Sequence, residues 1–385
     1  WSGAHVCSAR FPTKKRQFPE YPARLRAVHL AHLRLRDFRN YRRLDADFPP
    51  GLHVILGDNA QGKTNLLEAV YLLATLRSFR GVGSAQLVRH GETGYFVGAR
   101  VVGEGEHAVK MYWSAALRRL MLDGQPVRKL TEYLGILRAV VFCTEDLLLI
   151  KGPARVRRRF LDLLLAQTEP GYLRMLQRYA RVLRSRNALL KQPVLDETTL
   201  EGFTRELVEA GEGLMRARRE LVPRLLPLAR RAYGRIAREG EELALVYRPS
   251  VRADFRAELA QWHRRERSYR LTLIGPHRDE LALLVDQRSA AQFASEGQKR
   301  TLAIALKMAQ AEYLVERQGV VPVLLIDDVM GELDARRRGG FLPLLEAAGQ
   351  GRGQVFLACT EESWPAELGG ARQLWTVHQG QLKRA

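Results

Sequence analysis

Leu52-His53-Val54-Ile55-Leu56 runs directly into Gly57-Asp58-Asn59-Ala60-Gln61-Gly62-Lys63-Thr64. A short apolar run ending in glycine reads as a buried strand, and the octapeptide fits G-x-x-x-x-G-K-[ST] at every fixed position. The glycines let the backbone curl so that successive N–H groups face one anion site. Leu66, Leu67, Val70, Tyr71 and Leu73 follow at helical spacing, so a helix N-terminus aims at the same point. Lys63 is then placed to reach the β/γ-phosphates and the Thr64 hydroxyl to ligate Mg²⁺.

A phosphate loop of this kind needs an acidic residue at the end of a neighbouring buried strand. Val323-Leu324-Leu325-Ile326-Asp327-Asp328 supplies it, with Asp327 at the exposed carboxyl end, where ligands bind in α/β sheets. Asp327 is expected to hold Mg²⁺ and Asp328 to orient the attacking water. Thr64 and Asp327 stand 263 residues apart. That separation excludes a compact kinase-like core and requires a long insertion between two halves of one nucleotide-binding sheet.

The 385 residues carry 62 Lys+Arg against 42 Asp+Glu, a formal charge of +20 that favours polyanions. The excess is concentrated: residues 151–270 hold +12, and residues 271–385 are nearly neutral. The chain reads as α/β over 28–150, an inserted, mainly helical and basic lobe over 151–270, and a second α/β half over 271–385. Residues 1–27, with three prolines and a basic run, read as a disordered extension. In the lobe, Arg157 and Arg158 precede a helix, and Arg174, Arg178 and Arg181 share one helical face. These five are candidates for sequence-independent phosphate contact, against the plainer reading of a solvated face. Cys7, Cys143 and Cys359 have no short spacing, which excludes a disulfide framework or a Cys-based zinc site and suits a reducing, cytoplasmic compartment. No run approaches the length of a membrane span.

Just before the acidic strand, Ser295-Glu296-Gly297-Gln298-Lys299-Arg300 opens a helix with Ser295 as N-cap. The order of phosphate loop, long insertion, Ser-x-Gly-Gln, Asp-Asp strand and Gly331-Glu332-Leu333-Asp334 resembles the head of ABC-type ATPases, in the SMC-like DNA-repair branch. Five stretches narrow the resemblance to the RecF family of bacterial recombination mediators. They are Leu35 to Tyr41, Gly57 to Ala69, Thr144 to Asp162 with its Arg157-Arg158-Arg159-Phe160-Leu161-Asp162, Gly275-Pro276-His277-Arg278-Asp279-Glu280, and Ser295 to Arg300.

The resemblance implies an ABC-type head of mixed and antiparallel sheets with flanking helices. It implies ATP held by Gly57 to Thr64 with Mg²⁺, and weak, DNA-stimulated hydrolysis. Ser295, Gly297 and Gln298 would contact ATP bound to a second copy, so dimerisation would depend on ATP, with Asp334 at the dimer interface. It further implies action on duplex DNA at ssDNA–dsDNA junctions and partnership with RecR and RecO. The role would be recombinase loading in repair, replication restart and the SOS response. A regulatory, barely hydrolytic scaffold and a transporter-type ATPase subunit are the competing readings. Asp328 departs from the wider superfamily, where glutamate follows the metal Asp. The turn Arg39–Asn40 either reaches the nucleotide or merely closes a hairpin. Glu145 or Asp146 is either a sensor between the sheet lobes or an acidic pair at a helix start. Thr360 stands where transporters carry a switch histidine. His277 and Arg278 have no role that the sequence specifies.

Overall fold

The computed structural model describes residues 26–237, 240–360 and 372–385. Most of the stretch read as an extension, residues 1–25, lies outside these. Arg26 and Ala27 pair in parallel with Val320 and Val321.

One six-stranded sheet holds the nucleotide motifs. Its order is Gln381–Arg384, Arg372–His378, Gly51–Leu56, Gln354–Cys359, Val323–Asp327, Ala139–Phe142. All neighbours are parallel except the terminal hairpin. The phosphate-loop strand and the acidic strand are therefore next-but-one neighbours, with Gln354–Cys359 between them. Strands buried on both faces read as continuous apolar runs, and period-two alternation divides their side chains between two cores. Val54, Leu324, Ile326, Val355 and Leu357 face one core; Ile55, Val323, Leu325, Phe356 and Ala358 face the other.

The second face is covered by the helix Lys63–Thr75 and by an antiparallel sheet of six strands that includes His29–Phe38, Tyr41–Asp47, Gly94–Val102 and Glu106–Ser114. Buried Gln354 ties the two sheets together, accepting from the Leu30 N–H at 2.8 Å and donating to the Leu30 carbonyl at 3.0 Å. The first face carries the helix Glu296–Gln318 and the inserted lobe. The lobe is built from helices Ala154–Thr168, Tyr172–Leu189, the 40-residue Glu197–Ile236 and Phe255–Tyr269. Leu243–Arg248 pairs antiparallel with Glu280–Val285, so the expected boundary at 270/271 falls between two paired strands of one small sheet.

Two buried charge clusters hold the lobe. Arg218, on the 40-residue helix, donates to Asp162 at 2.8 Å, to Asp279 at 3.1 Å and to the Pro276 carbonyl at 2.7 Å. Asp279 is fully buried and also accepts from the Tyr247 hydroxyl and from the Ser250 N–H at 2.8 Å. Arg186 donates to Glu266 at 2.7 Å and to Thr272 at 2.8 Å. Removing one partner from such a cluster leaves an uncompensated buried charge, a cost of about 3–5 kcal/mol.

Candidate nucleotide site and basic lobe

The loop Gly57–Gly62 has the backbone that its glycines permit. Gly57 (φ 155°) and Gly62 (φ 123°) lie in positive-φ space. A Cβ at Gly62 would collide with the Asn40 side chain, 2.7 Å away. Lys63 is buried and donates through Nζ to the loop carbonyls of Gly57 at 2.7 Å and Asp58 at 3.0 Å. The Thr64 hydroxyl donates to Asp327 Oδ1 at 2.9 Å, so the two motifs meet. Burial pushes the Asp327 carboxyl up to about 6, partly offset by that hydrogen bond, while the nearby Glu145 and Asp328 charges add to the rise. An oxygen-only pair with surplus negative charge fits Mg²⁺, which takes few protein ligands and completes its octahedron from phosphate and water. Thr64 and Asp327 are the residues that would hold it. Asp328 follows in a left-handed conformation (φ 54°), its N–H donating to the Ala358 carbonyl at 3.1 Å.

Asn40 braces the loop: its Nδ2 donates to the Gln61 carbonyl at 2.7 Å, and its Oδ1 accepts from Asn65 Nδ2 at 2.8 Å. The Tyr41 hydroxyl donates to the Gly62 carbonyl at 3.0 Å. From the other side, the Gln379 N–H donates to Gln61 Oε1 at 2.7 Å and the Gly380 N–H to the Gln61 carbonyl at 3.0 Å. Arg39 turns away to grip fully buried Glu68 with both Nε (2.8 Å) and Nη2 (3.0 Å). Arg39 thus anchors the loop's helix here, with its guanidinium on Glu68. Glu68 lies inside a quoted motif, but nothing local marks it as the partner of a residue 29 positions earlier.

Of the acidic pair after Ala139–Phe142, Asp146 is spent structurally. It accepts from the Cys143 N–H at 2.9 Å and lies 3.7 Å from Lys307 Nζ. Glu145 is the member whose charge acts on Asp327. Lys307 belongs to Glu296–Gln318, and the first residue of that helix, Glu296, meets Lys151 at 2.5 Å. The segment from Asp146 to Lys151 is therefore tied at two points along the helix that Ser295 caps. At that cap, Ser295 Oγ accepts from the Gln298 N–H at 3.2 Å and Gln298 Oε1 from the Ser295 N–H at 2.8 Å, a reciprocal capping box. Gln298 also donates to Glu241 at 3.1 Å. A Cβ on Gly297 would meet Arg337, which itself pairs with Asp334 and donates to Thr301 at 2.8 Å. The Ser-x-Gly-Gln turn and the Asp334 segment are thus one contiguous surface. Thr360 directly follows Gln354–Cys359, the strand beside Asp327.

The arginines proposed for phosphate contact separate into two sets. Arg157, 12% exposed, donates to both Glu280 oxygens (2.6 and 2.7 Å) and to the carbonyls of Leu149 and Gly152. Arg158 donates to the Asp279 carbonyl at 2.7 Å, and Arg178 pairs with Glu206 at 2.7 Å and Glu209 at 2.9 Å. Arg157 and Arg178 thus have their charge engaged by carboxylates and Arg158 donates to a backbone carbonyl, with Glu280 and Asp279, the partners of Arg157 and Arg158, lying beyond residue 270. Arg174 and Arg181 are exposed. His277 is structural: Nδ1 accepts from the Tyr179 hydroxyl at 2.7 Å and Nε2 donates to the Thr272 carbonyl at 3.1 Å. Among the described residues no helix is long and apolar enough to cross a membrane.

The two-core sheet, the phosphate loop joined to Asp327 and the capped Ser-x-Gly-Gln helix define an ABC-type ATPase head of the SMC kind. The family model described as "RecF/RecN/SMC N terminal domain" matches residues 29–381. SMC heads share the fold: that of Pyrococcus furiosus superposes with a TM-score of 0.53 at 14% identity over 93% of this chain and 96% of that one. Within this class the likeness is narrower. The DNA replication and repair protein RecF of Symbiobacterium thermophilum is 41% identical over 360 residues, 88% of this chain and 95% of that protein. The corresponding protein of Synechococcus sp. (strain JA-3-3Ab) is 39% identical, covering 93% and 97%. The solved structure described as the recombination mediator protein RecF-ATP in the RecFOR pathway superposes with a TM-score of 0.86 at 29% identity, over 94% of this chain and 98% of that one. The chain belongs to the RecF family.

Proposed function

We propose that this protein is an ATP-dependent DNA-binding switch that binds duplex DNA near single-strand gaps and promotes recombinase loading in DNA repair, replication restart and the SOS response. The observation that carries the reading is the hydrogen bond from Thr64 to Asp327, which brings the phosphate loop and the acidic strand end to one point. ATP with Mg²⁺ occupies Gly57 to Thr64 and Asp327; Lys63 neutralises the terminal phosphates and Asp328 orients water. Ser295, Gly297 and Gln298 complete the site of a second copy, so ATP drives homodimerisation and slow hydrolysis reverses it. Support comes from the RecF relatives, one of them solved with ATP and assigned to a pathway that also names RecO and RecR, the expected partners. In the lobe, Arg174 and Arg181 take duplex phosphates, with steep salt dependence.

Light scattering in the apo, ADP and ATP states, together with a phosphate-release assay of ATP turnover, each with and without duplex DNA, tests this reading. ATP-specific dimers and DNA-stimulated turnover are expected. Turnover indifferent to DNA overturns it in favour of a transporter-type subunit, and ATP-dependent dimers without turnover favour a regulatory scaffold.

A further inference from the structure

Ser295, Gln298, Glu241 and Tyr233 form one hydrogen-bonded chain at the start of the helix Glu296–Gln318. Ser295 Oγ accepts from the Gln298 N–H at 3.2 Å, which uses a lone pair and lets the hydroxyl hydrogen turn toward an acceptor outside the turn. Gln298 closes the box in return, its Oε1 accepting from the Ser295 N–H at 2.8 Å. A glutamine amide can present either end to that N–H, and only the oxygen end accepts. Half-buried Glu241 decides which end faces Ser295, since its Oε1 accepts from Gln298 Nε2 at 3.1 Å. An ionised carboxylate can only accept, so the amide nitrogen turns to Glu241 and the oxygen to Ser295. Glu241 is held in turn: its Oε2 accepts from the Tyr233 hydroxyl at 2.6 Å, and Tyr233 is buried in the last turn of the 40-residue helix Glu197–Ile236. Both oxygens of one carboxylate thus join the longest helix of the lobe to the Ser-x-Gly-Gln turn.

We propose that Glu241 is a positioning residue for the nucleotide site of a second copy: it holds Gln298 in the orientation that closes the capping box and so sets the Ser295 hydroxyl for that copy's terminal phosphate. This role rests on the reading above, in which Ser295 meets ATP bound to a second copy, and it adds a residue of the inserted lobe to that site. Glu241 acts through Gln298 and need not touch the nucleotide. Without an acceptor for Nε2, the Gln298 amide is free to turn its nitrogen toward the Ser295 N–H, where donor meets donor and the box opens. A donor set in advance costs no ordering when the phosphate arrives, which is where a positioning residue contributes to affinity.

The test uses full-length chains, with ATP-dependent dimers read by sedimentation velocity and turnover by phosphate release. Glu241→Ala is expected to bind ATP as the parent does but to weaken ATP-dependent dimerisation about tenfold, the scale of one hydrogen bond to a charged group. Glu241→Gln keeps an acceptor oxygen and should stay within about threefold of the parent. Mixing separates positioning from a structural fault, because the site is shared between copies. Lys63→Ala lacks a working phosphate loop but keeps an intact turn, whereas Glu241→Ala keeps its phosphate loop and lacks the set turn. Together they assemble one intact shared site, so the mixture should turn over ATP above the sum of the separate proteins. The mixture of Lys63→Ala with Ser295→Ala should recover in the same way. A chain that is merely damaged in its fold gains nothing from mixing. Parent-like dimers of Glu241→Ala overturn the role, and so does a Glu241→Ala mixture that stays inactive while the Ser295→Ala mixture recovers. If the Ser295→Ala mixture also stays inactive, the shared-site reading fails and the role of Glu241 falls with it.

Discussion

The Thr64 hydroxyl donates a hydrogen bond to Asp327 at 2.9 Å across 263 residues of sequence, and that contact closes the nucleotide site. Asp327→Asn keeps the shape of the carboxylate but removes the charge proposed to hold Mg²⁺. It should leave nucleotide binding measurable while lowering Mg²⁺-dependent turnover by roughly two orders of magnitude or more. Chelation of Mg²⁺ should have the same effect on the parent chain. A steady-state phosphate-release assay beside nucleotide titration separates the two quantities.

Ser295→Ala removes a helix cap, at a cost of about 1 kcal/mol, and changes nothing at the chain's own phosphate loop. ATP affinity should be unaltered while ATP-induced dimers disappear; Lys63→Ala should lose the dimers as well. A Ser295→Ala protein that dimerised normally in sedimentation velocity would refute the role of Ser295 in the second site.

Lys307 and Asp146 join the helix Glu296–Gln318 to the segment that carries Glu145. Lys307→Met leaves Asp146 without its cation and should destabilise the fold by about 3 kcal/mol. Lys307→Met with Asp146→Asn should recover most of that loss, because no lone charge then remains. Urea unfolding of the three variants measures the coupling, and simple additivity would show that the two residues act independently.

Asp279→Ala should be among the most damaging substitutions in the lobe. It strips Arg218 of one carboxylate and leaves Tyr247 and the Ser250 N–H without their acceptor. A loss of about 3–5 kcal/mol is expected in equilibrium unfolding. Arg174→Ala, on an exposed position, should shift stability by no more than about 0.5 kcal/mol.

Acid should weaken the fold through two histidines. Burial lowers His53 and His277 to about 4, against hydrogen bonds to the Pro49 and Thr272 carbonyls that pull the other way and with nearby positive charges that add to the drop; each ring also accepts a hydrogen bond on Nδ1, from Trp375 and Tyr179 respectively. The unfolded chain takes up these protons near 6.5 and the folded chain only near 4, so stability is full above pH 6.5 and falls as pH drops toward 4. The melting temperature should decline across that window, and His277→Gln should make the decline shallower.

What could be read from the chain alone was what is local. Strand, Gly-rich loop and helix follow one another within Leu52–Thr75, so the phosphate site is legible from periodicity and glycine placement. The capping of Ser295 by Gln298 is equally local, three residues apart.

The sequence by itself determined the chemistry: an anion-binding loop, an acidic strand end, a signature turn and an excess of positive charge in the insertion. Only the tertiary structure decided where that charge is available. Arg157, Arg158 and Arg178 looked like their exposed neighbours until Glu280, the Asp279 carbonyl, Glu206 and Glu209 were brought against them. A charge's partner is set by distance in space, which falls off steeply in its effect and is invisible to spacing along the chain.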